Sequence, residues 1–164
     1  MSVREMFRPG MRAYIIPLVA GVVLAVSAFL PWVSVGEVTL TGVPEVAALW
    51  IVGLGILAAV LAILSLITRK NSRHPLLIIG LVSLGLMFLS WELMPTAVAE
   101  RALTRAQAFA IVEGREAGKA PDAIVGSGIY LGLLSAAAIV GFGLTIVVKR
   151  VARPYAVESA DDDV

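Results

Sequence analysis

The side chains that could do chemistry in this chain are few and widely separated. His74 is the only histidine, and it lies between Arg73 and Pro75. The sequence has no cysteine, which excludes disulfides, thiolate metal sites and a thiol nucleophile. A single histidine at the end of an apolar stretch cannot form a two-histidine metal site or a Ser-His pair within apolar helices. No catalytic residue, metal or cofactor is therefore predicted.

Two acidic features leave an alternative open. Glu92 follows Trp91 near the end of an apolar stretch, where an acid serves as an interfacial anchor or as a proton or cation site. The tail 161–163 is Asp-Asp-Asp, which could hold a divalent cation weakly, although a solvated terminus is the simpler interpretation. The motifs Gly53-x-Gly55 and Gly126-x-Gly128 lack the basic residue of a phosphate loop, so we interpret them as packing glycines.

Four stretches without charged side chains make up most of the chain and must position any functional side chain. They cover residues 13–36, 46–68, 75–91 and 123–148, and roughly 20 apolar helical residues cross a hydrocarbon core of about 30 Å. The chain is 59% hydrophobic and only 15% charged, against roughly 45–50% and 25% in soluble domains. The sequence predicts an all-α membrane protein, a single four-helix transmembrane bundle with spans at about 13–31, 46–68, 75–94 and 123–148.

The basic residues predict the orientation of these spans. Of 13 Lys and Arg residues, nine lie in the segments 1–12, 69–73 and 149–153, and four lie in 101–119. Short cytoplasmic loops carry an excess of positive charge. We expect a multi-pass protein of the plasma (inner) membrane with both termini, the loop 68–74 and the tail 149–164 in the cytoplasm, and with outer loops at 32–45 and 95–122.

The first span has an alternative interpretation as a cleaved secretory signal. Arginines precede the apolar run, and Val26-Ser27-Ala28 is an acceptable cleavage site. The run is about 18 residues long, against 7–15 for a signal peptide, and Pro31-Trp32 follows it as an interfacial stop would. We prefer an uncleaved anchor, although the charge distribution fits both interpretations.

A small cap is predicted on the outer side of the bundle. Valine and leucine alternate with serine and threonine around Gly36-Glu37, which predicts a β-hairpin with a type II′ turn. Residues 96–115 carry apolar side chains at helical spacing, with Glu100, Arg101, Thr104 and Gln107 on the opposite face. This pattern predicts an amphipathic helix outside the membrane. Pro95 is expected to end the third span before that helix begins.

Small residues recur in the predicted spans at intervals of four. Lipid tails are as apolar as leucine, so helices in a bilayer associate mainly through close backbone approach at such residues. The packing faces could serve the bundle itself or dock another membrane protein or a second copy of the chain. The candidate helix-packing residues are Gly21 and Ala25 in the first span, Gly55 and Ala59 in the second, and Gly128, Gly132 and Ala136 in the fourth.

Two further surfaces are candidates for contacts. Trp32, Trp50, Trp91 and Glu92 are expected near the outer interface, where an indole buries its ring and keeps its donor hydrated. An aromatic belt explains them, and an aromatic-lined outer pocket with the hairpin as its lid is the alternative. On the cytoplasmic side, contacts with anionic lipid headgroups or simple topology signals explain Arg69, Lys70, Arg73, Lys149, Arg150 and Arg153.

The order of these features resembles two groups of small four-span membrane proteins. A basic arm, a span, Leu30-Pro31-Trp32-Val33, alternating valine and threonine up to Gly42, and a Gly/Ala-rich span resemble small uncharacterised bacterial membrane proteins, including the tryptophan-operon-associated membrane proteins of actinobacteria. The strand pair is also similar to the claudin-like tetraspan layout. This chain lacks the paired cysteines of claudins, and residues 42–50 do not reproduce their Gly-Leu-Trp signature. Neither resemblance implies a functional residue.

These observations favour a non-enzymatic integral membrane protein. We expect an accessory or scaffolding subunit that acts by helix packing and outer-loop contacts within the lipid bilayer, without a nucleic-acid partner. The alternative is a component of a transporter or channel for a neutral or hydrophobic solute. A third hypothesis, a membrane enzyme acting on lipid, lacks an acid, base or metal constellation. The polar groups within the spans are Ser27, Ser65, Ser83, Ser90, Tyr130, Ser135 and Thr145.

Overall fold

The protein is mostly helical, with four helices and a three-stranded sheet. The computed structural model describes residues 12–68, 73–114 and 122–151, with the backbone alone for residues 12 and 146–151. A 3-10 turn at Arg12–Tyr14 precedes the first helix. The helices are α1 (Ile15–Ser27), α2 (Val46–Thr68), α3 (Arg73–Glu113) and α4 (Ser127–Val151). The strands are β1 (Pro31–Val35), β2 (Val38–Thr41) and β3 (Ala123–Val125).

Three of the described helices are long and apolar enough to cross a membrane, namely α2, α3 and the part of α4 from Ser127 to Thr145. Helix α1 is apolar but has only 13 residues, which corresponds to about 20 Å. The first predicted span, 13–31, is therefore longer than the helix that forms within it. Pro31 prevents a helix from continuing to the end of the predicted span, because a proline disfavours helical backbone in the residue before it, and the chain pairs as β1 from Pro31 onward.

Helix α3 differs most from the prediction. Pro95 was expected to end the third span, but it lies inside a single helix of 41 residues, about 60 Å long. The proline removes one backbone hydrogen bond, yet Met94 and Val98 on either side of it both pack against the core. The predicted third span and the predicted amphipathic helix thus form one continuous rod.

The sheet confirms the predicted hairpin and adds a strand. β1 pairs antiparallel with β2, with Val35 opposite Val38, and Gly36 has a φ of 60°, as the first residue of a type II′ turn requires. The strand β3 pairs with the other edge of β1, although residues 123–125 were predicted to begin the fourth span. The backbone N–H of Gly126 donates to the carbonyl of Trp32 at 2.7 Å, so α4 starts only after this strand.

The sheet covers one end of the helix bundle. Helix α1 packs against α2 and α4, and α4 packs against α3. The sheet contacts α3 and α4 through β1 and β3. The largest fully buried side chains of the helices form the core, and they are Leu24, Ile51, Leu76, Met87, Ile129 and Ile139.

Candidate functional site

A groove of about 660 Å³ lies between the sheet and the second half of α3. Volumes of roughly 300–1,000 Å³ are typical of sites that bind small molecules. The sheet and the segment that leads from it to α2 supply mainly apolar side chains, including Val35, Val38, Leu40 and Val43. Val38 and Leu40 are exposed, so the groove is accessible from outside the fold.

The opposite wall of the groove is a single stripe of α3. Met94, Val98, Ala102, Ala106 and Phe109 line it, at the three- and four-residue spacing that places side chains on one helix face. The stripe covers 16 residues from Met94 to Phe109, which lie about 22 Å apart along the helix. Because two of the five side chains are alanines, the helix does not fill the space beneath the hairpin, and a cavity remains.

Trp32 forms the floor of the groove, which corrects its predicted place at a hydrated interface. The side chain is fully buried, and its Nε1–H donates to the carbonyl of Ser27 at 2.9 Å. The last carbonyls of a helix have no partner within the helix, so the end of α1 satisfies the indole donor without water. A β-carbon at Gly42 or Gly128 would lie 2.5 Å or 2.7 Å from the indole, so both glycines make room for it.

The other two tryptophans and Glu92 lie away from the groove. Trp50 on α2 and Trp91 on α3 are exposed, and Trp91 packs against Phe88 with ring centroids 5.7 Å apart. The side chain of Glu92 is also exposed. A pocket does lie beside the hairpin, but its aromatic lining consists of Trp32 and Phe109. The four residues predicted as one outer surface therefore do not form one site.

Arginines supply the charge of the groove. Arg101 and Arg105 line it one turn apart on α3, and Nη1 of Arg101 lies 3.5 Å from Oε1 of Glu45. Within the described part of the chain, no acidic side chain forms an ion pair with Arg105. An apolar groove therefore carries two positive charges and one negative charge at its edge. The sequence pattern predicts Arg101 on the solvent face of the amphipathic helix. An arginine followed by an alanine recurs one turn later, at Arg101-Ala102 and Arg105-Ala106, and this repeat was the signal that could have revealed the groove.

The predicted packing residues of the first two spans face each other. A β-carbon at Gly21 would lie 2.8 Å from the carbonyl oxygen of Gly55 and 2.8 Å from the amide nitrogen of Ala59. A β-carbon at Gly55 would lie 2.7 Å from the amide nitrogen of Ala25. The two helix backbones are thus in direct contact at a place that we call the glycine joint, formed by Gly21, Ala25, Gly55 and Ala59.

The small residues of α4 lie at several different contacts. Gly128 faces the carbonyl of Ser27 at the end of α1, and Gly132 faces the side chain of Met87 on α3. Ala136 is fully buried. These three residues were predicted as a single packing face, and the structure distributes them between contacts with α1, α3 and the core.

The serines predicted to offer a polar path mostly use their hydroxyls locally. Ser27, Ser65, Ser90 and Ser135 each donate to a backbone carbonyl three or four residues earlier in the same helix, and Thr145 does the same. Tyr130 is exposed. The hydroxyl of Ser83 is buried without a hydrogen-bond partner. Within the described residues, these hydroxyls serve their own helices more than a common path.

The predicted basic cluster is only partly described. The guanidinium of Arg73 lies 5.5 Å above the ring of Phe142, and Tyr14 packs edge-on against the same ring with centroids 5.0 Å apart. The backbone of Lys149 and Arg150 belongs to α4. Arg69, Lys70 and Arg153, like the acidic tail 161–163, lie outside the described residues. Contact of this cluster with anionic headgroups stays a prediction.

Acidic and histidine side chains do not cluster in the described part of the molecule. In the ranges 12–68, 73–114 and 122–151, no group of three or more His, Cys, Asp or Glu side chains could hold a metal ion. His74 is exposed at the start of α3. The groove is therefore the candidate site that the described residues support best.

Comparisons with known proteins assign no relative. No protein-family model matches the sequence, no curated protein matches it, and no solved structure matches the fold. The resemblances drawn from the sequence stay predictions, and a function can be inferred only from the geometry and chemistry of the groove.

Proposed function

We propose that this chain is a four-span integral membrane protein that acts by binding, as a non-enzymatic accessory or scaffolding subunit. The groove between the sheet and α3 carries the proposal. Its walls are apolar, and its cations are arginines, which hold anions but do not exchange protons near neutral pH. Such a site retains a ligand without transforming it.

The membrane arrangement rests on helix length and on charge. Helices α2, α3 and α4 are long and apolar enough to span a bilayer, and the apolar α1 is held between α2 and α4. In the sequence, nine of the 13 basic residues lie in the segments 1–12, 69–73 and 149–153, which adjoin the starts of α1 and α3 and the ends of α2 and α4, the end of the bundle that the strands do not adjoin. By the positive-inside rule this end is cytoplasmic, and the sheet and the groove are extracytoplasmic.

A second candidate function is a component of a transporter for a hydrophobic solute. One observation favours it, because the groove begins at Met94, directly beyond the apolar part of α3 that is expected to lie in the bilayer. A hydrophobic molecule could pass between bilayer and groove without crossing a polar barrier. The local hydrogen bonds of the helix serines argue against a hydrated channel, so this second function is a binding function as well.

Cysteine labelling tests the orientation. The chain has no native cysteine, so a single introduced cysteine is the only thiol of the protein that can be labelled. An impermeant thiol reagent applied to intact cells should label Thr41→Cys on β2 and should leave Ser72→Cys in the predicted cytoplasmic loop unlabelled. Equal labelling of the two variants contradicts the orientation.

Photocrosslinking tests binding at the groove. A photoreactive phenylalanine analogue at Leu40, which lines the groove, should form a covalent adduct in intact membranes. Ile124 on β3 is the matched control, because it is an exposed sheet residue that does not line the groove. The binding function is wrong if neither position forms an adduct, or if both form adducts equally.

A further inference from the structure

We propose that the groove holds an anionic lipid, with one acyl chain along the apolar walls and the head group at Arg101 and Arg105. This inference rests on the proposed binding function and names the ligand class. It combines three properties of the groove, namely its apolar lining, its charge and its position along α3.

The lining fits a hydrocarbon chain. Leu40 and Val38 of the hairpin face the stripe of Val98 and Ala102 across the groove, and each of these side chains can contact hydrocarbon without leaving a polar group unsatisfied. Burying apolar surface stabilises a complex by about 25 cal/mol for each Å² removed from water. Between Met94 and the two arginines the stripe extends for about 10–17 Å along α3, which accommodates the part of an acyl chain next to the head group.

The charge selects an anion. Arg101 forms an ion pair with Glu45 at 3.5 Å, whereas Arg105 has no acidic partner in the described segments. The pair of arginines and the single glutamate leave one positive charge in excess beside an apolar surface. Guanidinium groups match the oxygens of a phosphate or carboxylate in a bidentate manner, so a lipid phosphate is a suitable partner.

The position of the two arginines along α3 matches the usual orientation of a lipid in a bilayer. Arg101 and Arg105 lie seven and 11 residues after Met94, or about 10 Å and 17 Å farther along the helix. In the proposed orientation the bilayer lies on the Met94 side. A lipid that rises from the outer leaflet would therefore keep its chain towards the membrane and its head group towards the aqueous phase, where the arginines are.

Lipid binding to the purified full-length chain tests the inference. Native mass spectrometry after titration with dioleoylphosphatidylglycerol or dioleoylphosphatidylcholine in mild detergent measures the bound lipid. We expect preferential binding of the anionic lipid. Arg105→Gln should weaken that binding about fivefold, the effect of one basic residue near a membrane surface. Gln107→Glu, on the other face of α3, is the matched control, because it lowers the net charge equally and should leave binding unchanged.

A gain of binding gives a second test. Glu45→Gln removes the acid beside Arg101 and should increase affinity for the anionic lipid about twofold to fivefold, since it releases part of one basic charge. Glu100→Gln alters the net charge equally at an exposed α3 residue that does not line the groove, and it should have no effect. Equal gains in both variants would mean that overall charge, and not the groove, attracts the lipid.

Filling the groove separates this inference from the proposed function. Ala102→Trp keeps both arginines but occupies the apolar space, so it should abolish the preference for the anionic lipid while the protein stays monodisperse. Arg105→Gln changes an exposed side chain and still tests the inference through the charge should Ala102→Trp fail to fold. Retained lipid binding in both variants overturns the inference. Protein adducts at Leu40 in the photocrosslinking experiment overturn the lipid but keep the binding function, and the absence of any adduct overturns both.

Discussion

Small residues line both the glycine joint and the groove, but two backbones touch at the joint and a cavity remains at the groove. At the joint, Gly21 and Gly55 allow two helix backbones to touch. Along the groove, Ala102 and Ala106 face the sheet and leave about 660 Å³ of space. A small residue brings two elements together only when the opposite element is free to approach.

The sheet contacts α3 through β1 and β3, but it is not free to close onto the groove stripe because three contacts fix its position. β1 is paired on both edges, Gly126 is hydrogen-bonded to Trp32, and the indole of Trp32 is anchored to the end of α1. The same kind of sequence pattern therefore gives a close-packed contact in one region and a cavity in the other.

The largest expected effect is at Trp32, which fixes the sheet over the helix ends. Trp32→Ala should lower the free energy of unfolding by about 3–5 kcal/mol, as is typical for truncation of a buried aromatic side chain, and the groove should close or lose its shape. Thermal unfolding in detergent measures the change. Trp50→Ala is the control, because that side chain is exposed. Similar losses in both variants would contradict the anchoring role of Trp32.

The next effect is at the glycine joint. Gly55→Leu should destabilise the protein by about 3 kcal/mol, in the upper part of the range for overpacked contacts, because the new side chain meets the backbone of α1. Gly53→Leu on the same helix has no atom within 4 Å of the added β-carbon and should be neutral. The same thermal measurement compares the two variants. If Gly55→Leu is as stable as Gly53→Leu, the backbones of α1 and α2 are not in close contact at the glycine joint.

A small effect is expected where the groove has room. Ala106→Leu introduces the same side chain as Gly55→Leu and so controls for its size. It should change the free energy of unfolding by less than about 1 kcal/mol, because no close-packed neighbour must move. The lipid-binding assay should detect the change more strongly than the thermal measurement. A destabilisation as large as that of Gly55→Leu would remove the contrast between the two regions.

The smallest effect concerns the pair of Arg101 and Glu45. Their side chains are 73% and 47% exposed, and an exposed ion pair contributes about 0–1 kcal/mol. Glu45→Gln should therefore leave the unfolding temperature nearly unchanged at moderate ionic strength, while lipid affinity changes. A clear loss of stability would assign the pair a structural role.

Much of the architecture was predictable because it depends on local patterns. Alternating residues around Gly36 predicted the hairpin, and the four-residue spacing of Gly21, Ala25, Gly55 and Ala59 marked the residues that meet at the glycine joint. The membrane-crossing length of three helices likewise follows from uninterrupted apolar sequence.

The features that the sequence did not predict depend on contacts between distant segments. β3 forms because residues 123–125 meet the free edge of β1, which no local pattern reveals. Trp32 is buried because Gly42 and Gly128 leave space for it from two other parts of the chain. The groove escaped prediction for the same reason, since its two walls are about 50 residues apart in sequence.

The continuity of α3 through Pro95 has a mechanical consequence. One rod carries both the apolar segment that is long enough to span a bilayer and the stripe that forms the groove wall, so the two parts turn together. A helix adapts to a thinner or thicker bilayer by changing its inclination. A rotation of about 10° around Met94 moves Phe109 by about 4 Å at the end of a 22 Å lever, enough to narrow or widen the groove. If α3 inclines relative to the sheet in this way, we expect the aperture of the groove to follow the thickness of the surrounding membrane.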